Sequence, residues 1–235
     1  MKKIVISLFF ISSVFCYAKN GKKVFLQANE LYAQKEYAKA LNLYNTIEKK
    51  GPATWYNMGN CAFRLGNYVY SLLYWKKAKK EAPFKDMRKI DYNIALAYEK
   101  LDYAKPESWF SFVQNYVNAF SLFFLQILFL ILWLIFFVLL FGLKRYRTTL
   151  LFVLLVFNTF LFVAVVVKYR AIVYPKAIVT KPSISVFSGP DENFHVIGNL
   201  SLADELQIKK QRNSWYKISY NHIVGWVSAD SLEIV

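Results

Sequence analysis

Cysteine and histidine are scarce in this sequence, and their scarcity excludes several classes of protein. The 235 residues hold two cysteines and two histidines. Cys16 lies in an N-terminal stretch typical of a removable signal, so Cys61 is the one cysteine expected in the mature chain, where it cannot form an internal disulfide. Neither histidine, His195 or His222, has a catalytic or metal-ligating partner nearby in sequence. We therefore expect no metal, no cofactor and no enzyme activity.

Acidic residues are also few, with 15 Asp and Glu against 30 Lys and Arg, which gives a formal net charge of +15. Residues 19–105 hold 17 basic and 8 acidic residues, whereas residues 171–235 hold six of each. A basic chain can bind nucleic acid, but no recognition motif accompanies the charge here, so we expect no nucleic-acid partner. The excess is more typical of a Lys-rich helical surface near anionic lipid or cell wall.

Charge is missing altogether from residues 108–143, in a chain that is 56% hydrophobic. As one helix this run would measure ~54 Å, which exceeds a hydrocarbon core of ~30 Å. We therefore divide it into an interfacial segment at 108–119, rich in aromatics and amides, and a transmembrane helix at 120–143. Residues 148–167 form a second uncharged span. The alternative is a buried helix pair in a soluble protein.

A short basic turn at 144–147 separates the two spans. Its charges are Lys144, Arg145 and Arg147. The positive-inside rule places this turn in the cytoplasm, so both outer ends of the hairpin lie outside. The predicted location is the bacterial cytoplasmic (inner) membrane, crossed twice, with both soluble domains on the outer or periplasmic face.

Residues 1–18 carry the features of an export signal. Two lysines precede an apolar stretch, and Ala18 provides the small residue at the expected cut. Lipid attachment at Cys16 is the alternative. Either form of processing exports the chain from residue 19 onward, which agrees with the topology that the basic turn predicts.

One polar residue, Asn158, lies about ten residues into the second span. Trp133 lies about ten residues before the turn in the first span, so the two side chains should share one depth. We predict that Trp133 Nε1–H donates to Asn158, a bond worth about 1 kcal/mol in a membrane. The alternative is that Asn158 pairs with another subunit or another membrane protein.

Residues 20–105 contain a repeat of 31 residues, ANELYAQKEYAKALNLYNTI followed by GNCAFRLGNYVYSLLYWKKA. The aligned pairs are Ala28 and Gly59, Tyr37 and Tyr68, Ala40 and Ser71, Leu41 and Leu72, and Tyr44 and Trp75. A third, partial copy follows at an offset of 36. Small residues at fixed points let two helices approach, and aromatics fill the gap to the next pair. The segment resembles the tetratricopeptide repeat, except that Lys35 stands where the second copy has its turn glycine.

That resemblance implies a concave groove, lined by the first helix of each repeat, that holds an extended peptide. We name these residues the groove face: Phe25, Asn29, Tyr32, Tyr56, Asn60, Phe63, Arg64 and Tyr92. The alternative is that the aromatic members only fill the space between helices. An amide repeated at one register has no evident packing role, so Asn29 and Asn60 are predicted to pair with the peptide backbone.

Residues 171–235 change to short alternating segments of period two, divided by turn residues. The motifs S-G-P at 188–190, W-Y-K-I at 215–218 and G-W-V at 225–227 resemble those of the bacterial SH3 domain. This resemblance implies a barrel of five to six strands that binds peptides, often of the cell wall. The candidate binding residues are Phe187, Asp191, Glu192, Trp215 and Tyr216. Trp226 is predicted to belong to the core.

The predicted fold class is a multidomain membrane protein with all-α tetratricopeptide-like repeats, a transmembrane helical hairpin and a small all-β SH3-like barrel. This order resembles that of the BatE proteins of bacterial aerotolerance operons. The resemblance implies a membrane-anchored scaffold whose partners are other membrane proteins of that operon, some carrying metal-dependent adhesion domains. Peptidoglycan is the second candidate partner. The alternative function is an accessory subunit of a cell-wall (peptidoglycan) enzyme.

Overall fold

The computed structural model describes residues 21–103, 117, 120–142 and 147–235. The predicted signal peptide with Cys16, most of the predicted interfacial segment, and Lys144 and Arg145 lie outside these described residues.

Five helices make up the N-terminal domain. They are α1 (residues 21–33), α2 (Tyr37–Asn45), α3 (Pro52–Arg64), α4 (Tyr68–Glu81) and α5 (Phe84–Lys100). Pro52 occupies the first turn of α3, where its missing N–H costs no hydrogen bond, and Pro83 is extended just before α5. Successive helices pack in order, α2 on α3, α3 on α4 and α4 on α5.

The turns between helices repeat with the sequence. Gly66, between α3 and α4, has φ of 78°, a left-handed conformation that glycine adopts without steric cost. Lys35 stands 31 residues earlier and has φ of 65°, so the first repeat makes the same turn with a side chain that disfavours it. Asp102, 36 residues after Gly66, has φ of 51° at the end of α5. The partial third copy therefore ends its helix with the same turn.

The packing between helices uses the small residues that the repeat aligns. Ala28, Ala40 and Cys61 are fully buried between α1, α2 and α3. A Cβ atom on Gly59 would overlap the indole ring of Trp75, so the absent side chain makes room for the larger aromatic of the second repeat. In the first repeat the corresponding pair is Ala28 and Tyr44, and both are fully buried.

Two further helices, α6 (Leu122–Gly142) and α7 (Arg147–Val173), pack against each other. Both are long and apolar enough to cross a membrane by length and composition, and only 6% and 11% of their apolar windows are buried. This exposure argues against a buried helix pair in a soluble protein, because it leaves a large apolar surface open. The helix of the second span continues past residue 167, its predicted end, to Val173. No proline interrupts it before Pro175.

The side chain of Lys168, near the C-terminal end of α7, lies against the residues that precede α6. Its ammonium donates hydrogen bonds to the carbonyl oxygens of Val117 and Phe120. Two backbone carbonyl oxygens thus contact the positive charge of Lys168.

The hairpin core does not contain the predicted Trp133–Asn158 hydrogen bond, and that prediction is wrong. Asn158 Nδ2 donates to the carbonyl of Leu154 in its own helix at 3.0 Å, and its Oδ1 has no partner. The ring of Trp133 lies against Phe136 and Phe137, with each centroid 5.4 Å away. Because Asn158 is only 2% exposed, a neighbouring subunit cannot reach it in this arrangement.

The C-terminal domain is an antiparallel sheet of seven strands, whereas the sequence predicts five to six. The strands are β1 (Lys176–Val179), β2 (Ile184–Phe187), β3 (Val196–Leu200), β4 (Glu205–Arg212), β5 (Trp215–Tyr220), β6 (Ile223–Ser228) and β7 (Leu232–Ile234). Their order is β3-β2-β6-β5-β4-β1-β7. The additional pairing comes from β1, which lies between β4 and β7. Alternate residues such as Val186 and Ile218 are buried in the domain core.

The sheet domain packs directly on helices α4 and α5. Ile178 and Ala203 are fully buried in the same apolar cluster as Leu72 and Ile94 of the helices. A group of polar contacts lies beside this cluster, and we call it the polar interface cluster. Its members are Lys76, Tyr98 and Tyr103 from the helical domain and Asp204, Glu205 and Tyr220 from the sheet domain. The two domains therefore form one body.

Candidate functional site

The groove face is built by α1, α3 and α5. Tyr92 is 69% exposed and Arg64 is exposed, whereas the other six members are partly buried. Two aromatic pairs recur 31 residues apart, since the Tyr32 ring meets Tyr37 and the Phe63 ring meets Tyr68, each at 5.2 Å. The aromatic members therefore fill part of the space between helices, as the alternative interpretation held, and still present edges to solvent.

The two repeated amides bind neighbouring side chains. Asn60 Oδ1 accepts from Trp75 Nε1 at 3.1 Å and from Asn93 Nδ2 at 3.3 Å. Asn29 Oδ1 accepts from the Tyr44 hydroxyl at 2.5 Å and from Asn57 Nδ2 at 2.9 Å. The inference that the repeated amide has no packing role is wrong, because it satisfies a buried polar group of each repeat.

In both Asn29 and Asn60, the side-chain oxygen accepts these hydrogen bonds and the side-chain nitrogen takes no part in them. Neither Nδ2 group donates to a described residue, and both side chains are partly exposed. Each amide thus links its own helix to two others through its oxygen, while its Nδ2 group keeps two N–H donors that no described residue uses.

Positive charge borders the groove face. The Lys89 ammonium lies 4.6 Å from the ring centroid of Tyr56, and Asn93 donates to the Tyr56 hydroxyl at 2.9 Å. A hydrogen bond between the side chains of Tyr32 and Arg64 raises the pKa of the Arg64 guanidinium. Cations at both ends of a row of amides and aromatic rings favour a ligand that carries negative charge.

Cys61 lies beneath this surface and is not a nucleophile. The side chain is fully buried, and burial raises the pKa of the thiol to about 12. It remains a neutral thiol at physiological pH and acts as a small apolar residue between helices. Among the described residues, no three His, Cys, Asp or Glu side chains lie together as a metal site.

The sheet domain presents an aromatic face on β2, β5 and β6. Phe187 and Trp215 meet edge to face at 5.6 Å, and Phe187 stands opposite Trp226 in the strand register. Val186, Ile218 and Val227 alternate with these residues and point into the core. We define the aromatic face as Phe187, Trp215 and Trp226.

The predictions for Tyr216 and Trp226 are both wrong, because Tyr216 faces the core and Trp226 faces outward. Tyr216 shares the core side of β5 with Ile218 and packs against the core, so it does not join the aromatic face. Trp226 alternates with the buried residues Gly225 and Val227, which places it on the outer side. Strand alternation predicts both positions once Ile218 and Val227 are taken as core.

A solvent-open pocket of about 280 Å³ lies at the end of the β4–β5 pair, where Arg212 of its lining stands opposite Trp215 in the strand register. It is lined by Pro190, Asp191, Phe194, Arg212 and Asn213. Asp191 Oδ1 accepts from the Asn193 backbone N–H at 2.9 Å, which orders the loop. Glu192 is exposed but does not line this pocket. Sequence reasoning missed Arg212 and Phe194, because the pocket joins a loop and a turn that are 18 residues or more apart.

A close contact shapes the pocket wall. The ring of Phe194 lies directly over Gly189, where a Cβ atom would stand 2.6 Å from it. The pocket combines an apolar wall with one carboxylate and one guanidinium, and no described ion pair joins the two charges. Such a surface suits a short peptide that carries both an acidic and a basic group.

The polar interface cluster fixes both surfaces relative to each other. Lys76 Nζ lies 2.6 Å from Glu205 Oε1, and the Tyr98 hydroxyl also donates to this oxygen. Asp204 Oδ1 accepts from the hydroxyls of Tyr103 at 2.6 Å and Tyr220 at 2.7 Å. Both carboxylates thus belong to the sheet domain and have at least one partner in the helical domain, and Asp204 has a second partner, Tyr220, in its own domain.

Charge and burial change the acidity of these groups. Burial alone would raise the pKa of Glu205, but the ammonium of Lys76 and the hydroxyl of Tyr98 more than offset it and hold this pKa below its ordinary value. Burial, reinforced by the nearby carboxylates, raises the pKa of Tyr98 and Tyr103. The cluster is therefore ionised at Glu205 and protonated at both tyrosines across the physiological pH range.

Comparison with known families identifies one part of the chain. Residues 182–233 match the bacterial SH3 domain. The match covers strands β2 to β6 and the start of β7, and it includes the aromatic face and the pocket. The C-terminal domain is thus a bacterial SH3-like barrel. No curated protein matches the chain.

Proposed function

We propose that this chain is a membrane-anchored scaffold that presents two binding surfaces outside the cell membrane. The observation that carries the proposal is the polar interface cluster. It joins the repeats to the barrel through α4, α5 and the start of β4, and it leaves the groove face and the aromatic face uncovered. A body built in this way holds two partners at a fixed separation.

The anchor in this proposal is the α6–α7 hairpin. The exposed apolar side chains of both helices support insertion in lipid. The basic turn supports a cytoplasmic bend with both domains on the outer face. A matching bacterial SH3 domain supports an exported location, because such modules bind peptides or peptidoglycan.

The groove face would bind an extended, acidic segment of a partner protein. The free Nδ2 donors of Asn29 and Asn60 suit backbone carbonyls, and Arg64 and Lys89 suit carboxylates. The tetratricopeptide-like repeats would therefore bind tails of neighbouring membrane proteins, as the BatE-like arrangement implies. The chain itself would carry no catalytic site.

The fixed geometry changes how two weak sites work together. With a flexible tether the effective concentration falls as the linker lengthens beyond the span of the two sites, whereas a rigid body favours targets whose spacing matches its own. We infer that the aromatic face and pocket bind a second partner or the cell wall while the groove face remains occupied.

The test is site-specific photo-crosslinking in living bacteria with the full chain. A photoreactive residue replaces Tyr92 in the groove face, Trp226 in the aromatic face, or Tyr70, which is 41% exposed on α4 and serves as the control. We expect distinct membrane proteins to be trapped from Tyr92 and a second protein or wall fragment from Trp226. Equal trapping from Tyr70 would contradict specific binding.

A second function is favoured by the SH3 match alone, namely an accessory subunit of a peptidoglycan enzyme. In that case the Trp226 position should trap peptidoglycan or a wall hydrolase, and the Trp226→Ala variant should reduce wall binding by the full chain. Trapping only of membrane proteins that do not act on peptidoglycan would exclude this function.

A further inference from the structure

The lipid-facing side of α6 carries one strongly polar side chain. Gln126 is exposed, four residues after the helix begins at Leu122, and its carboxamide has no hydrogen-bond partner among the described residues. The polar residues of α7 behave differently, since Asn158 and Thr159 donate to the carbonyls of Leu154 and Leu155 in their own helix. In hydrocarbon an unpaired carboxamide is unfavourable, so a hydrogen-bond partner on a neighbouring helix would stabilise Gln126.

Gln126 belongs to an ordered stripe. Leu130, Trp133 and Phe137 follow it at spacings of four, three and four residues, which is the seam spacing of a left-handed helix pair. Leu130 is 61% and Phe137 is 47% exposed. The indole N–H of Trp133 also has no acceptor among the described residues, so two unpaired polar groups lie on one side of α6.

The hairpin partner covers another side of the helix. Leu125 and Leu161 are buried between α6 and α7, and Phe129 meets Phe162 at 6.0 Å. The stripe is therefore free when the hairpin is complete.

We propose that the stripe Gln126–Leu130–Trp133–Phe137 binds α6 of a second copy of this chain. This inference rests on the proposed insertion of the hairpin in a membrane. In a parallel pair of identical helices each residue meets its own copy at the same depth, so Gln126 faces Gln126 without any adjustment. A carboxamide is donor and acceptor at once, and two of them form a reciprocal pair of hydrogen bonds.

A different membrane protein would need a polar side chain at this depth and on a matching stripe. The second copy supplies one by symmetry, and the same rotation brings the two Trp133 rings to the seam. Polar side chains of this kind hold transmembrane helices together.

Oxidative cysteine crosslinking of the full chain in bacterial membranes tests this proposal. The Leu130→Cys variant places a thiol on the stripe, and the Ile131→Cys variant places one at nearly the same depth but 100° around the helix, also exposed. The parent chain gives the background of the native cysteines. We expect a covalent dimer from Leu130→Cys only, reduced roughly tenfold when Gln126→Leu is added.

Three results would overturn the proposal. They are equal crosslinking by both cysteine variants, a Leu130→Cys dimer that persists with Gln126→Leu, and a Leu130→Cys adduct with a different protein. Alkaline carbonate extraction separates this failure from that of the proposed function. A chain that stays in the membrane pellet without crosslinking refutes only the dimer, whereas release into the supernatant refutes the membrane anchor as well.

Discussion

The indole N–H of Trp75 donates to Asn60 Oδ1 at 3.1 Å, and the same bond recurs 31 residues earlier, where the Tyr44 hydroxyl donates to Asn29. Each bond joins the first helix of a repeat to the second. The following repeat adds a donor to the same oxygen, Asn57 to Asn29 and Asn93 to Asn60. The amide at this register therefore links three helices.

Replacing Asn60 with alanine removes this link. We expect the free energy of unfolding to fall by about 1–3 kcal/mol, because Trp75 keeps only its bond to the Tyr56 carbonyl and Asn93 loses one acceptor. Asn45→Ala is the control, since Asn45 is exposed at the end of α2, and it should change stability by less than about 0.5 kcal/mol. Chemical denaturation of the detergent-solubilised chain provides the measurement. Equal losses for both variants would show that the Asn60 bonds contribute nothing specific.

The glycine at position 59 should tolerate alanine only when the facing aromatic shrinks. Gly59→Ala forces a Cβ into the indole of Trp75, so we expect a loss of about 1–3 kcal/mol from overpacking. Adding Trp75→Tyr recreates the Ala28–Tyr44 pair of the first repeat and should restore part of that loss. A double-mutant cycle measured by thermal unfolding gives the coupling. Purely additive losses would mean that the two positions do not share space.

The turn of the first repeat contains a residue whose replacement by glycine should stabilise the fold. Lys35 adopts φ of 65°, so Lys35→Gly should stabilise the chain by about 1 kcal/mol by removing the left-handed penalty. Asn42→Gly, at an exposed position in the middle of α2, should have the opposite and smaller effect, a loss of a few tenths of a kcal/mol, because glycine is a poorer helix former than asparagine. Differential scanning calorimetry compares the two melting temperatures. A destabilised Lys35→Gly variant would contradict the assigned turn.

The contact between the helical domain and the sheet domain should weaken in acid. Since the folded pKa of Glu205 is lowered, its contribution is complete above the ordinary carboxyl pKa of about 4.3 and is lost as the pH falls through the folded value. Glu205→Gln should cost about 2–3 kcal/mol at pH 7, because Lys76 is left without its partner, and this difference should shrink below about pH 4.

The matched control is Glu233→Gln. Glu233 lies 3.5 Å from Lys77 and its side chain is 47% exposed, so its removal should cost less than about 1 kcal/mol. Unfolding measured from pH 3 to 8 compares the three chains. A Glu205→Gln difference that does not depend on pH would show that ionisation of this carboxyl does not hold the domains together.

Local patterns in the sequence predict most of the secondary structure but not the arrangement of the domains. The 31-residue period contains the helix pairs and their turns, and alternation of period two gives the strands. The hydrogen bond from Tyr98 to Glu205 joins residues that are 107 positions apart in the sequence, and no motif predicts it. The repeat pattern shows that Asn29 and Asn60 are equivalent but not which neighbours they meet, so it does not predict their bonds to Tyr44 and Trp75.

Strand alternation predicts which aromatic residues of the sheet domain face the core. Ile218 and Val227 are core residues of the type expected from an apolar run, and counting outward from them places Tyr216 inside and Trp226 outside. The pocket at Arg212 could not be found in this way, because it depends on how a turn folds over a distant loop.

The contact of Lys76 with Glu205 joins two residues 129 positions apart, one before and one after the α6–α7 hairpin. The covalent path between the helical and sheet domains runs through this hairpin, so the ion pair gives the two domains a second, noncovalent connection. Displacement of either domain away from the other therefore has to break this contact before the chain between them extends.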